Sequence, residues 1–222
     1  MAEVACLEKD PYAPDESLRK RRYSNAIILP WKADTLYWLP TAYRDRKHKS
    51  GYDQGLNNPD HDSIRYFNSL SQELKSTEFI NKLVMEDYNH TFGLSDHYLP
   101  VYVGVHLIKI SCTDNNKPGF SSPDCFHQDG EPFTFAHLVN RSENAVGGIN
   151  YIAGVSLRNN KLQNVSDDDI FYAFQLNGFM DSFAVCDELV SHYVDHLYMK
   201  DSSSPVDRTM LLIDFSKTKQ DI

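Results

Sequence analysis

No stretch of this chain approaches the roughly 20 consecutive apolar residues of a membrane-spanning helix. Its opening decapeptide, MAEVACLEKD, is too polar for a secretory signal. Cysteine is sparse and dispersed. The four thiols, at positions 6, 112, 125 and 186, include no Cys-x-x-Cys pair, which excludes a zinc-ribbon pattern. The expectation is a cytoplasmic protein with reduced cysteines and no membrane partner. Positive charge is short as well. Lys and Arg number 22 against 31 Asp and Glu, a net charge of −9, whereas a nucleic-acid partner requires a broad basic surface that displaces counterions. The single basic cluster, RKRR at 19–22, reads as the solvated face of a helix. No internal repeat stands out, and nothing in the sequence fixes an oligomeric state.

What the chain does hold is aromatic surface: 12 Phe, 13 Tyr and 2 Trp, residue types that pack well on pleated sheets. At 222 residues it is long enough for a single catalytic domain, 1–222, with a sizeable core. Its two halves differ in texture. Residues 1–99 read as a mainly helical cover. PDESLRKRRY (14–23) has the proline and acidic start of a helix. Ile64, Phe67, Leu70 and Leu74, then Phe79, Ile80, Leu83 and Val84, recur at helical spacing with a break near Ser76-Thr77. AIILPW (26–31) reads as a short strand, and 47–63 as an exposed loop rich in turn formers. Beyond residue 100, β-like segments follow at 101–112, 133–140, 148–157, 169–176, 181–187, 191–199 and 208–216. Strands at that spacing predict a sandwich or jelly roll. The expected fold class is α+β, mainly β: a double-stranded β-helix (jelly roll, cupin-like) over 100–216 with N-terminal helices packed on one sheet.

Within CFHQDGEPF (125–133), His127 and Asp129 stand at i and i+2, on one side of an extended backbone, and Gly130 lets the chain turn. Two His and one carboxylate on one face of an octahedron, with three positions open, is the arrangement of non-haem Fe(II) oxygenases. The third ligand must come from the second half of the roll. SHYVDH offers His192 and His196, and spacing alone does not separate them. His137 alternates onto the face of Phe133 and Phe135, as a packed or hydrogen-bonded histidine. His106, within VYVGVHLIKI, is core or pocket wall, whereas His48, His61, His90 and His97 stand in polar surroundings. Arg208 opens the last apolar strand, RTMLLIDF. A guanidinium there needs an anion, because an unpaired buried charge is costly. That anion is either a local carboxylate, Asp207 or Asp214, or the distal carboxylate of 2-oxoglutarate, gripped by two parallel hydrogen bonds.

Three blocks resemble the 2-oxoglutarate/Fe(II) dioxygenases that hydroxylate free amino acids, the isoleucine 4-hydroxylase group. They are HQDGEPF, NRSENAVGGINYI (140–152), and DSFAVCDELVSHYV followed by DRTMLLIDF. Ahead of residue 100 only RKRRYSNAIIL is loosely similar. In the third block the family's histidine falls on His192, while His196 falls where the group commonly has proline. The resemblance implies Fe(II) held by His127, Asp129 and His192, with 2-oxoglutarate anchored by Arg208. With O2, such a centre hydroxylates an unactivated C–H of a small free amino acid, aliphatic or cyclic, and releases succinate and CO2. For the carboxylate and ammonium of that substrate, Arg141 and Glu131 are the candidates. Two departures stand out: CDELVSHYV lacks the basic residues usual before the histidine, and Tyr193 replaces a small residue and narrows the pocket. Asp129 takes the place a halide would need, which disfavours a halogenase. The alternative readings are desaturation or cyclisation at the same centre, a non-catalytic jelly-roll binding protein, and a zinc hydrolase. Intact ligands together with Arg208 count against the last two.

Overall fold

The computed structural model describes residues 2–14, 16–32, 35–53, 63–95, 97–121, 123–201 and 204–217. A short helix α1 (Ala2–Ala5) precedes β1 (Lys20–Ile28), β2 (Leu36–Trp38), β3 (Ala42–Arg44), β4 (Lys47–Tyr52) and β5 (Arg65–Asn68). Helices α2 (Gln72–Lys75) and α3 (Glu78–Asn89) follow, then β6 (Val101–Cys112), β7 (Phe133–Arg141), β8 (Ala145–Gly147) and β9 (Asn150–Gly154). The chain ends with β10 (Ile170–Phe174), β11 (Ser182–Cys186), β12 (Val190–Val194), β13 (Leu197–Met199) and β14 (Val206–Ser216).

Alternation along the long strands sets the architecture. The main sheet is antiparallel with the order β11-β7-β14-β6-β1-β2, and the smaller β10-β9-β12 sheet lies across a cavity from it. On β6 the residues Val101, Val103, Val105 and Leu107 point to one face, joined there by Leu211, Ile213 and Phe215 of β14. Ile80, Val84 and Tyr88, spaced four apart on α3, bury against that face. The intervening residues (His106, Ile108 and Ile110 of β6; Arg208, Met210, Leu212 and Asp214 of β14) line the cavity on the other side. One face of the sheet is thus the apolar core, and the other carries the chemistry. This is the expected jelly roll with a helix on one sheet.

The helices start where local caps allow. Ser71 accepts from the Leu74 amide at 3.1 Å, and Thr77 accepts from the Ile80 amide at 3.4 Å. These caps put the break at Ser76-Thr77, as the periodicity predicts.

The first hundred residues are less helical than expected. Lys20–Ile28 is a strand, not a helix, because it pairs residue for residue with Val101–Lys109 of β6. Nine paired residues and the burial of most of their side chains outweigh a local helix-start signal. Likewise Phe67 lies on β5, where it packs with Tyr23 and Tyr52 between β1 and β4. The expected loop at 47–63 begins as β4, and its remainder, with His61, lies largely outside the described residues. All four cysteines are free. Among the described residues, no helix is long and apolar enough to cross a membrane.

The α3 contact gives a stability test. Ile80 is fully buried and the adjacent Phe79 is 42% exposed. Ile80→Ala is expected to lower unfolding stability by about 2–5 kcal/mol, and Phe79→Ala by less than about 1 kcal/mol, measured by equilibrium urea denaturation.

Candidate metal centre and active-site cavity

His127 follows the 113–126 connection and meets β12 in an isolated antiparallel bridge. The His127 amide donates to the His192 carbonyl and the His192 amide to the His127 carbonyl, each at 2.9 Å. Directly paired residues point the same way, so the two imidazoles stand with ring centroids 4.3 Å apart. Asp129, two residues on, returns to the same side. Its Oδ2 lies 3.3 Å from His192 Nε2 and its Oδ1 lies 3.8 Å from His127 Nε2. One donor atom from each of His127, Asp129 and His192 falls within 4.8 Å of the others.

The donors are prepared for a cation. His127 Nδ1 sits 3.0 Å from the Cys125 carbonyl, a contact that places the ring proton on Nδ1 and leaves Nε2 with its lone pair. Apart from its contact with Asp129, His192 Nε2 is buried and makes no hydrogen bond among the described residues, the kind of orphaned atom that a bound metal satisfies. Burial pushes His127 down to about 4, helped by His192, so the ring is neutral. Burial would raise the Asp129 carboxyl, but His192 and His127 hold it well below the usual range. Burial works against charge on His192, but Asp129 beside it raises its pKa, so a cation bound here would take the place of that proton. Two imidazole nitrogens and one carboxylate suit ferrous iron.

Asp187 secures the turn that carries Asp129. Its carboxylate accepts the amides of Asp129 at 3.0 Å and Gly130 at 2.7 Å, and its carbonyl accepts the side chain of Gln128. Gly130 adopts φ 91°, a left-handed conformation that a side chain would strain. Burial and the charge of Asp129 push Asp187 up to about 6.

The triad opens into a cavity of about 120 Å3 between the two sheets. Arg208 lines it from β14, 4% exposed, and its Nη2 donates to Asn150 Oδ1 at 3.3 Å. Its Nε is buried and makes no hydrogen bond among the described residues. Burial, then the nearby Arg141, push its pKa down to about 10. Neither local carboxylate takes it. Asp207 pairs with Lys109 at 2.6 Å and accepts from Ser111, while Asp214 pairs with His106 at 2.5 Å. Asp195 acts on it through charge while accepting the Ile149 amide, and a buried guanidinium that faces a cavity in this way can receive an external carboxylate.

The remaining sequence candidates fall differently. His196 leaves the triad because β12 ends at Val194, and its Nε2 meets Asp124 at 2.9 Å. His137 is hydrogen-bonded on the outer face, to Asp87 at 2.9 Å and Ser182 at 2.7 Å. Arg141 does not line the cavity: opposite Arg208 in the β7–β14 register, it turns to the carbonyls of Ala145 and Gly147 at 3.1 and 2.8 Å. Glu131 is buried but is also absent from the cavity wall. Tyr193 does line the cavity, with its hydroxyl on Asp124 at 3.0 Å.

The RKRR cluster is the largest correction. As part of a strand region it alternates, so Arg19 and Arg21 are buried and line the cavity, while Arg22 points outward to Glu3 and Glu8 at 2.9 Å. Arg65, His106 and Asp214 share that wall. The signal that would have found the two arginines is period-two spacing running on into Tyr23 and Asn25, both buried.

Comparison with known proteins agrees with this geometry. A family profile described as 2OG-Fe dioxygenase matches residues 2–214. L-isoleucine-4-hydroxylase of Bacillus thuringiensis is 32% identical over 149 residues, 66% of this chain and 58% of that protein, so the match spans under two thirds of its length. The 3(1)-hydroxy-L-isoleucine 4-dioxygenase of Pantoea ananatis (strain AJ13355) is 26% identical over 228 residues, covering 96% of this chain and 85% of the relative. The crystal structure of IDO from Bacillus thuringiensis superimposes with a TM-score of 0.70 at 25% identity, covering 97% of this chain and 79% of that one. With two imidazoles and a carboxylate converging in a jelly-roll cavity, and a family match over nearly its whole length, this chain belongs to the 2OG-Fe dioxygenases, a family that works with Fe(II), 2-oxoglutarate and O2.

Proposed function

We propose that this chain is a hydroxylase of a small free amino acid, aliphatic or cyclic, which releases succinate and CO2 as it oxidises an unactivated C–H bond. The observation that carries this reading is one cavity holding both the His127–Asp129–His192 cluster and the buried Arg208 guanidinium. The names of the two relatives, both isoleucine-type enzymes, support an aliphatic amino acid as substrate.

In this reading His127 Nε2, His192 Nε2 and an Asp129 oxygen hold ferrous iron. Bound there with 2-oxoglutarate and O2, the metal supplies the oxidising power that no side chain possesses. The protein's share is binding, orientation and exclusion of water. Arg208 pairs with the distal carboxylate of 2-oxoglutarate, and Asn150 holds the guanidinium fork in register. Ile108, Ile110, Val185, Met210 and Leu212 form a dry wall around the reacting C–H. The Cys125 carbonyl keeps the His127 proton on Nδ1, away from the metal side. Asp187 acts one step back, by fixing the turn that aims Asp129.

Three variants test these assignments. His192→Ala is expected to abolish succinate formation while His196→Ala retains most of it, measured by product assay with saturating Fe(II). The reverse pattern overturns the ligand set. Arg208→Ala is expected to raise the 2-oxoglutarate KM at least about thirtyfold, equivalent to about 2 kcal/mol, with little change in the iron requirement. Asp187→Ala is expected to weaken iron binding by about 10–100-fold without removing a ligand, read by metal titration of the purified protein.

A further inference from the structure

Resting on the reading above, we propose that Arg21 and Arg65 form the seat for the carboxylate of the amino-acid substrate, and that His106 and Asp214 hold Arg21 in position for it. Both arginines are buried, 8% and 2% exposed, and both line the cavity that contains the metal cluster. Their guanidinium groups gather on the same two aromatic rings. Arg21 lies 4.2 Å from the Phe67 ring and 5.1 Å from that of Tyr52, while Arg65 lies 5.1 Å from Tyr52 and 5.7 Å from Phe67. Two like charges gathered on one buried wall repel each other. Burial first, and then the charge of Arg21, push Arg65 down to about 10. A carboxylate entering this corner meets the buried Nε–H of Arg21, the edge of a planar donor fork, while Arg65 beside it makes the corner more positive.

Arg21 is aimed by its neighbours. Its Nη2 donates to His106 Nδ1 at 2.6 Å, so the single proton of the neutral imidazole is on Nε2, facing Asp214 Oδ2 at 2.5 Å. Asp214 Oδ1 takes the Gly104 amide at 3.0 Å. A Cβ at Gly104 would sit 2.2 Å from that oxygen, so glycine is what lets the carboxylate reach the imidazole. The chain Asp214–His106–Arg21 therefore fixes one edge of the guanidinium. Its Nε stays buried and makes no hydrogen bond among the described residues. That N–H is a donor waiting for an acceptor.

This cationic corner is distinct from the Arg208 site. Arg21 pairs with Ile108 of β6, and Ile108 with Met210 of β14, so Arg21 enters two strands across and two residues along from Arg208, about 10 Å across the strands and about 7 Å along them. The cavity thus has separate anion seats, Arg208 for the co-substrate and Arg21 with Arg65 for the substrate. Arg141, the candidate raised by the sequence, is outside the cavity wall.

The test uses the intact protein loaded anaerobically with Fe(II) and 2-oxoglutarate. The weak visible charge-transfer band of that complex, recorded first, reports whether the iron reading stands independently of the substrate. Calorimetric titration with the twenty proteinogenic L-amino acids then identifies the tightest binder, which is compared with its own carboxamide. The wild type is expected to bind the carboxamide at least a hundredfold more weakly, a comparison that needs no variant to fold. Arg21→Met and Arg65→Met are each expected to reduce that preference at least tenfold and to leave the charge-transfer band in place. Arg21→Lys is expected to fall between Arg21→Met and the wild type. Equal binding of acid and carboxamide by the wild type, or no binding of any amino acid despite a normal band, overturns the proposal. So does an Arg21→Met protein that keeps the preference but needs far more 2-oxoglutarate, which would move Arg21 to the co-substrate.

Discussion

Two backbone hydrogen bonds between His127 and His192 are the constraint on which the site depends. They join residues 65 positions apart and fix both amides at 2.9 Å, so the imidazoles face each other without relying on side-chain flexibility. Everything nearer the chemistry follows from that bridge. Asp129 reaches the pair because it is two residues from His127, and Asp187 locks the intervening turn through the amides of Asp129 and Gly130. A ligand set built on paired backbone is held more tightly than one carried on loops.

The main sheet divides its labour by alternation. Along β14 the odd-numbered Leu211, Ile213 and Phe215 join the apolar core under α3, while the even-numbered Arg208, Met210, Leu212 and Asp214 face the cavity. A slip of one residue in the β6–β14 register would exchange the two sets, putting a guanidinium and a carboxylate in the core. The eleven-residue pairing of these strands therefore protects stability and function at once.

Charge on the cavity wall is handled by distributed pairing. Arg19 is met directly by Asp10 at 2.8 Å, Arg21 is linked through the His106 ring to Asp214, and Arg22, on the opposite face, bonds Glu3 and Glu8. One contiguous basic run is thus divided between two faces by the two-residue period of a strand, Arg19 and Arg21 towards the cavity and Arg22 away from it. Burying such groups carries a desolvation cost that their partners only partly return, and a binding site is where a protein has reason to bear it.

By itself, the sequence determined the fold class, most of the strands from residue 101 onward, the helix break near Ser76-Thr77, and the His-x-Asp motif with Arg208. These rest on local period and short spacing, readable within a few residues. Tertiary structure decided the rest. It made β1 a strand, since pairing with a segment some 80 residues away overrode a local helix signal. By ending β12 at Val194 it separated His192 from His196, a choice that spacing left open and only the family resemblance favoured. It also turned Arg141 out of the cavity and brought Arg21, Arg65, His106 and Asp214 to one wall. Each of those outcomes depends on which strands become neighbours, and contact between distant segments is set by the packing of the whole sheet, not by any local pattern.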